Sequence, residues 1–291
     1  MNGHLLEFLI ETDQKIISME NLLLFFENIS PLNRAIIIIS GITFFWVIEG
    51  IVPFKFLNYK KWIHSVPNFL LTITTIIVNF FFAFLLIFAS DWSNENSFGI
   101  IHFINSSTLV SVIVGLLILD LIGAYLPHLV QHKFKLLWHI HIVHHTDHKV
   151  DTTTANRHHP LESVVRFIFT FIGIFVSGAP IGLVLLYQSI SVLASQFNHA
   201  NIQISNKLDN ILSYVIVSPN MHKVHHHFEL PYTDSNYGNI FSFWDRIFGT
   251  YMQLDKSKIK YGVDTDLDEK LNSKFISLLE RPFKKWYKYF S

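Results

Sequence analysis

Histidine is the residue whose number and spacing in this chain could do chemistry. Seventeen of the 291 residues are His, and fourteen of these lie between His128 and His227. Separations of three or four residues bring side chains onto one face of a helix. Three groups have this spacing: His128 and His132; His141, His144 and His145; and His222, His225 and His226. We therefore predict three helices that each present imidazoles on one face.

The chemistry that such faces favour is metal binding. Eight inward-facing imidazoles would repel one another as cations and lose hydration as neutral rings unless a metal ion coordinates them. Imidazole suits iron, zinc, copper and nickel. Because one zinc ion usually takes four ligands, eight imidazoles predict a pair of metals. Cys is absent, which excludes thiolate and iron–sulfur sites. An all-imidazole pair suits iron that activates O2 against an unactivated C–H bond, and a membrane would supply the lipid that carries this bond.

The composition indicates that the helices holding these imidazoles lie in a membrane. Half of the residues are hydrophobic, 15% are charged and the mean hydropathy is +0.35, whereas soluble domains carry about 25% charged residues. The 22 basic and 22 acidic residues balance, so no nucleic acid partner is expected. The low charge and the high aromatic content also exclude intrinsic disorder.

Four apolar stretches are long enough to cross a bilayer, which takes about 20 residues. They are residues 35–54, interrupted by Glu49; 69–89; 108–126, interrupted by Asp120; and 167–197. The last has no charge over 31 positions and carries Gly178 and Pro180 near its centre, so it is either a kinked pair that enters and returns or one long tilted helix. We predict an all-α integral membrane bundle of about four embedded helices, with a cytosolic helical cap that carries the dinuclear site.

Loop charges predict the orientation, because Lys and Arg collect on the cytoplasmic side. Lys55, Lys60 and Lys61 lie between the first two spans, and the loop over residues 91–107 has neither Lys nor Arg. The histidines should therefore face the cytoplasm, and we expect a bacterial inner membrane. No signal peptide is expected, since Glu7 and Glu11 stand where a basic leader would be.

The remaining segments complete the predicted organisation. Residues 19–27 should form a short interfacial helix, and the basic, aromatic residues 274–291 a membrane-surface anchor. We divide the chain into an N-terminal region with the first two spans (1–104), a catalytic domain (105–252) and a basic tail (253–291).

Seven motifs within residues 105–252 resemble the fatty acid hydroxylase/sterol desaturase superfamily. Taken together they are similar to its bacterial branch, near the sterol desaturase and alkylglycerol monooxygenase type. They are DLIGAYLPHLVQH (120–132), LWHIHIVHH (137–145), TTANRHHPLE (153–162), FNHAN (197–201), HKVHH (222–226), DSNYGN (234–239) and WDRIFGT (244–250).

This resemblance implies an integral membrane, non-haem di-iron oxygenase that hydroxylates or desaturates lipids with O2 and delivered electrons. It also implies nine metal ligands, since His199 matches a ligand between the second and third histidine groups. The implied ligands are His128, His132, His141, His144, His145, His199, His222, His225 and His226.

Five further residues are candidate ligands or neighbours of the ligands. Spacing favours His141 over His139 in the second group, while His159, Gln203 and Asn201 lie in or beside matching motifs. Asp120, two helical turns before His128, is expected to accept the free N–H of a ligand imidazole. His158 and His227 are expected to be structural, and the polar residues of the last motifs are expected to hold the cap together; these are Asp234, Asn236, Asp245 and Arg246.

The expected reaction is oxidation of a membrane lipid by two iron ions and O2. No haem or flavin module is visible, so electrons should come from a separate b-type cytochrome, or from a ferredoxin with its reductase. A zinc-dependent membrane hydrolase or isomerase with the same histidines is the alternative, and a metal transporter is disfavoured by nearly uncharged spans. Hydroxylation and desaturation both stay open, as do the lipid, the donor and the oligomeric state.

Overall fold

The computed structural model describes residues 18–56, 58–265 and 268–290, the last six of them by their backbone alone. Apart from three isolated β-bridges, the regular structure in this part of the chain is helical, which confirms the predicted all-α fold. The α-helices are α1 (Met19–Glu27), α2 (Pro31–Ile51), α3 (Lys61–Glu95), α4 (Ile100–Ile104), α5 (Thr108–Asp120), α6 (Leu126–Lys133), α7 (Lys135–His145), α8 (Pro160–Ser177), α9 (Ile181–His199), α10 (Asn206–Leu212), α11 (Pro219–His225), α12 (Phe243–Ile247), α13 (Glu269–Asn272) and α14 (Phe275–Phe290).

Five helical stretches are long and apolar enough to cross a membrane: α2, Lys61–Ile104, Thr108–Lys133, α8 and α9. The count exceeds the predicted four because the uncharged stretch 167–197 forms two helices. Gly178 ends α8 in the left-handed conformation (φ 72°) and its N–H donates to the Ile174 carbonyl, while Pro180 precedes α9. Of the two alternatives for this stretch, the helix pair is confirmed.

The bundle has two distinct ends. At the first, Phe98 and Gly99 in the turn after α3 lie against Gly178, so close that a Cβ on Gly178 would stand 2.5 Å from the Phe98 carbonyl oxygen. At the second, Glu49 of α2 pairs with Lys61 at the start of α3, with 2.5 Å between Nζ and Oε2. The three histidine groups lie at the Glu49 end.

Glu49 also ties this end to distant parts of the chain. Its Oε1 atom accepts hydrogen bonds from the backbone N–H groups of Thr152 (2.7 Å) and Asn201 (2.6 Å). The carboxylate is only 4% exposed, so all of its partners are internal. An apolar span therefore carries this acid because it joins four chain segments at the site end.

Helix α9 occupies the centre of the bundle and contacts α1, α2, α5 and α11. Its Leu183, Val184 and Tyr187 pack with Leu119 of α5 and Ile174 of α8 in the largest buried apolar cluster. By contrast, α3 presents exposed phenylalanines, which is typical of a lipid-facing surface. The central helix ends at His199 and thereby delivers that residue to the site.

The predicted helix over residues 19–27 is present, and the predicted anchor segment contains helix α14. Ser18 caps α1 by accepting from the Asn21 N–H, and α14 packs Leu278 against Leu71 and Val143. Their placement at a membrane surface stays a prediction, as do the domain boundaries. The expectation that no signal peptide is present concerns residues 1–17, which lie outside the described residues.

Candidate metal centre

Four helices carry the nine histidines that the resemblance implies. α6 provides His128 and His132 one turn apart, α7 provides three ligand candidates, and α9 ends at His199. α11 provides His222 and His225, with His226 at its C-cap. Ser218 caps α11 by accepting from the Met221 N–H at 3.2 Å, and Pro219 takes the first helical position, as this residue type favours. A single π-helical turn, Leu121–Tyr125, joins α5 to α6. Turns of this kind often occur at functional sites.

The structure brings all nine together in two adjacent groups. In each group, one ring nitrogen per histidine lies within 4.8 Å of those of all the others. Histidines that are adjacent in the sequence belong to different groups, because a step of one residue turns a helix by about 100°. Group A is His128, His132, His141, His145 and His225, and group B is His144, His199, His222 and His226.

The inward-facing ring nitrogens fit metal ions. Within the two groups, six buried Nε2 atoms have no hydrogen-bond partner among the described residues, namely those of His128, His132, His141, His145, His225 and His226. In group B, His199 Nε2 lies 3.0 Å from the Nε2 atoms of both His144 and His222. A buried polar atom left without a partner costs about 1–3 kcal/mol. The six unpartnered nitrogens point at two common centres. Their arrangement fits a pair of metal ions, because none of the described side chains supplies a partner for them.

The outer nitrogens of several of these rings are bound to the protein backbone. Nδ1 lies 2.8 Å from the Tyr237 carbonyl oxygen in His128, 2.6 Å from that of Ser235 in His225, and 2.7 Å from that of Ser195 in His199. Since only an N–H can donate to a carbonyl, these rings carry their proton on Nδ1. Nε2 is left as a lone pair that faces the other histidines, which is the arrangement of metal-bound imidazole.

Two carboxylates hold further outer nitrogens. His132 Nδ1 lies 3.2 Å from Asp234 Oδ1. Glu162, which is fully buried, places Oε2 3.1 Å from His141 Nδ1 and Oε1 3.0 Å from His158 Nδ1. Asp234 therefore contacts a candidate ligand, whereas the sequence indicated only a role in the cap.

Glu162 and His158 are the residues near the site that the sequence analysis missed. The His158 ring stacks on His144 with centroids 4.4 Å apart and 17° between planes, so it packs directly against a candidate ligand. Its register could not be predicted because α8 begins at Pro160 and His158 precedes the helix. The available signal was Glu162 itself, an acid in the first turn of an apolar helix, four residues after a histidine.

His159 lies away from both groups, which corrects its candidacy as a ligand. Its Nδ1 accepts from the Leu161 N–H at 3.2 Å and caps α8, so its Nε2 carries the proton that it donates to the Leu279 carbonyl at 3.1 Å. The ring links α8 to α14 and has neither nitrogen free for a metal. His227 is structural as expected, since its Nδ1 accepts from the Lys260 N–H.

The expectation for Asp120 was wrong. Its carboxylate accepts from the backbone N–H groups of Ile240 (3.3 Å) and Phe241 (3.1 Å) and from Trp244 Nε1 (3.1 Å). The helix face that was predicted to bring it towards His128 is interrupted by the π turn at residues 121–125. Asp120 instead holds the loop before α12 against the membrane helices.

Asn201 and Gln203 also lie apart from the groups. The Asn201 side chain exchanges hydrogen bonds with the backbone of Lys55, and Gln203 is exposed with its N–H bound to the Val52 carbonyl. The chain turns away from the site after His199, where α9 ends. His139 is buried but belongs to neither group, whereas His141 lies in group A, as its spacing favours.

The cap residues perform the expected structural work. The Asp245 carboxylate accepts from the N–H groups of Tyr237 (2.7 Å) and Gly238 (2.9 Å), and Asn236 bonds the backbone of Met221 and Met252. Arg246 donates to the Ser213 carbonyl at 2.5 Å. These bonds hold the Tyr237 carbonyl where it accepts the hydrogen bond from His128 Nδ1.

Burial and mutual repulsion keep several histidines of groups A and B neutral. Burial, followed by repulsion from neighbouring imidazoles, lowers the pKa of His144, His145, His222 and His226 well below the ordinary value. The same causes lower the pKa of His225 to about 3. Neutral imidazole is the form that binds a metal, so the site is ready to bind at neutral pH without releasing protons from these rings.

Comparison with known proteins supports the resemblance that the histidine motifs indicate. The fatty acid hydroxylase family model matches residues 112–250. An ornithine lipid hydroxylase of Rhizobium tropici is 25% identical over 173 residues, which cover 59% of this chain and 50% of that protein. The alkylglycerol monooxygenases of Homo sapiens and Danio rerio are 27% identical over 142 residues and 29% identical over 146, each alignment covering 48% of this chain and 30% of the relative.

The chain thus spans half or less of the length of these relatives, and no solved structure matches it. The family match begins at Val112 in α5 and ends at Thr250, so it contains all nine histidines of groups A and B. Residues 112–250 of this chain therefore match the fatty acid hydroxylase family, and these similarities are consistent with the fatty acid hydroxylase/sterol desaturase superfamily that the histidine motifs resemble.

Proposed function

We propose that the protein is an O2-dependent, non-haem di-iron oxidoreductase that hydroxylates or desaturates a membrane lipid. The observation that carries the proposal is the convergence of nine imidazoles on two adjacent centres, with six of their inward Nε2 atoms lacking a hydrogen-bond partner among the described residues. Iron is bound well by imidazole. The printed activities of the relatives, an ornithine lipid hydroxylase and alkylglycerol monooxygenases, support a lipid as the substrate class.

The two histidine groups would each hold one iron. The iron pair supplies the redox chemistry that activates O2. The chain orients the rings through the carbonyls of Tyr237, Ser235 and Ser195, and Glu162 and Asp234 hold the outer nitrogens of His141 and His132. Burial of these rings excludes water from all but the edge at His128, which is the one member of the two groups that is partly exposed.

The electron balance requires a partner. Hydroxylation consumes one O2, two electrons and two protons, and yields an alcohol and one water. Desaturation consumes the same reactants and yields an alkene and two waters. A b-type cytochrome, or a ferredoxin with its reductase, is the class of donor that would supply the two electrons, docking on the cytoplasmic side that the loop charges favour.

The proposal is tested by metal content and by the fate of oxygen. Protein purified and reconstituted anaerobically with Fe²⁺ should hold about two irons per chain, since each group offers a full set of donors. Incubated with 18O2, a chemical reductant and total membrane lipid, it should yield an 18O-labelled lipid, or an unsaturated lipid with labelled water. Mass spectrometry separates the two reactions and identifies the lipid.

A zinc hydrolase or isomerase is the outcome that would replace this proposal. It would turn over with zinc, without O2 and without a reductant. His222→Ala serves as the inactive control, and His102→Ala, at the opposite end of the bundle next to Gly178, should keep both metals. Zinc-supported turnover under anaerobic conditions would reject the oxygenase.

A further inference from the structure

Arg166 is a charged residue of membrane helix α8 that the metal centre does not use. It lies six residues after the start of the helix, about 9 Å along the axis at 1.5 Å per residue. A charge at such a depth is costly, and residues of this kind usually serve a function. The question is what the guanidinium faces.

The face of α8 that carries Arg166 is the packed one. Glu162, Thr170, Gly173 and Ser177 stand four residues before it and four, seven and eleven after it, and all four are buried. The exposed apolar side chains of this helix, Ile168 and Ile172 among them, lie on the other side. Arg166 therefore points into the bundle and away from the lipid-facing side.

Yet the Arg166 side chain is 41% exposed. On a buried face, that exposure requires an opening between α8 and the helix opposite it. The opposite helix is the α5–α6 unit, because Thr170 faces Gly123 and Gly173 faces Leu119 and Ile122. α8 runs away from the site while α5–α6 runs towards it, so Arg166 faces α6.

The same opening reaches the metal centre. His128, the one partly exposed histidine of groups A and B, lies on α6. Glu162 spans the remaining gap, with Oε1 3.7 Å from Arg166 Nε and Oε2 3.1 Å from His141 Nδ1. The partly exposed Arg166 and the partly exposed residue His128 thus lie on the facing sides of α8 and α6, and the opening between these helices forms one cleft.

The guanidinium has one ion-pair partner among the described residues, Glu162, at 3.7 Å. No acceptor among the described residues lies within hydrogen-bond distance of it, and the nearby Glu162 carboxylate already serves His141 and His158. Arg presents a planar fork of N–H donors that fits the oxygens of a carboxylate or a phosphate. The cleft thus combines apolar helix walls with a cationic donor set whose N–H groups make no hydrogen bond to the described residues.

We propose that Arg166 binds the anionic headgroup, carboxylate or phosphate, of the lipid substrate, and that the chain of this lipid lies in the cleft between α6 and α8 that leads to His128. This assignment rests on the proposed function for the identity of the occupant as a substrate. It makes anionic lipids the substrate class and Arg166 a specificity-determining residue.

The test is equilibrium binding of spin-labelled stearate and its methyl ester to purified protein in neutral detergent, measured by electron paramagnetic resonance at mildly alkaline pH. Wild-type protein should bind the acid about tenfold more tightly than the ester, the worth of one charge-assisted contact. Arg166→Gln should bind both ligands like the ester, and Arg166→Lys should keep part of the preference. Ester binding by Arg166→Gln shows that the variant is folded.

Arg34→Gln is the matched control, because Arg34 is an arginine of apolar helix α2 whose guanidinium is already bound to Gln188 Oε1 at 3.1 Å. It should keep the full preference. Equal binding of acid and ester by wild-type protein, or a full preference in Arg166→Gln, would overturn the proposal. Displacement of the stearate by an equal concentration of inorganic phosphate would overturn the assignment to a lipid headgroup.

Measuring the metal-free protein separates this proposal from the proposed function. A preference for the acid in a protein that never oxidises lipid with O2 would keep the Arg166 site and reject the oxygenase. Lipid oxidation by a protein without the preference would do the reverse.

Discussion

At the scale of single residues, each imidazole of the site has two nitrogens with different duties. The inner one faces the shared centre, and in at least five rings the outer one lies against a carbonyl or carboxylate oxygen. The sequence predicted the histidines, because helical spacing shows which rings share a face. It could not predict the outer partners, because three of them are backbone carbonyls that any residue type supplies.

The assignment of the second histidine group leads to a direct comparison. His141→Ala should lower metal content, since it removes a nitrogen that points at group A, whereas His139→Ala should keep about two metals per chain. Inductively coupled plasma mass spectrometry of both purified variants measures this. Equal metal loss in the two variants would mean that the group is wrongly assigned.

Glu162 gives a prediction about a residue that touches no metal. Glu162→Gln keeps an oxygen acceptor near His141 but removes the negative charge that strengthens the ring as a donor. Metal affinity should fall about tenfold or more, the usual effect of losing such a partner. Competition with a chelator measures the affinity, and Glu229→Gln, on the exposed surface of the cap, is the control. An unchanged affinity in Glu162→Gln would show that the carboxylate only fills space.

At the scale of elements, hydropathy predicted where the membrane helices lie. Individual residues determine where the last apolar stretch divides into α8 and α9. Gly178 and Pro180 indicated the turn between α8 and α9. The 35 residues of α3 exceed the predicted span, because polar residues at both ends continue the helix. The π turn after Asp120 could not be predicted, and it alone redirects that acid. Periodicity assumes an uninterrupted helix, so it fails where a turn has one extra residue.

The turn between α8 and α9 should tolerate no side chain. Gly178→Ala forces alanine to φ 72°, at about 1–2 kcal/mol, and places its Cβ against the Phe98 carbonyl. Gly50→Ala is the matched control, since a Cβ there meets nothing within 4 Å and the helix gains roughly 0.5–1 kcal/mol. Thermal unfolding in detergent should show opposite shifts in Tm. A Gly178→Ala protein as stable as the wild type would disprove the close contact between the two turns.

At the scale of the whole molecule, the loop charges and the fold lead to one topology. The turns at Phe98 and Gly178 meet at one end, and the histidine groups lie at the other. If Lys60 and Lys61 are cytoplasmic, the metal centre is cytoplasmic as well. The loop charges could predict on which side of the membrane each loop lies. Only the structure shows that the helices carrying the histidines bring them to the same end of the bundle.

Single cysteines in this Cys-free chain test the topology. A cysteine at exposed Asn96 should react with a membrane-impermeant thiol reagent on intact cells, whereas cysteines at exposed Lys207 and Ser257 should react only after lysis. Val150 would be uninformative, because it is fully buried. Labelling of Lys207→Cys on intact cells would place the histidine cap outside.

Glu49 has a consequence for the order in which the protein assembles. It is made early, on the first apolar helix, but two of its partners, Thr152 and Asn201, follow about 100 and 150 residues later. Until those segments have left the ribosome, the nascent chain holds an acid in an apolar helix with only Lys61 to balance it. The last metal-binding segment, ending at His226, emerges later still. Closure of the two histidine groups therefore has to wait for the segment that ends at His226.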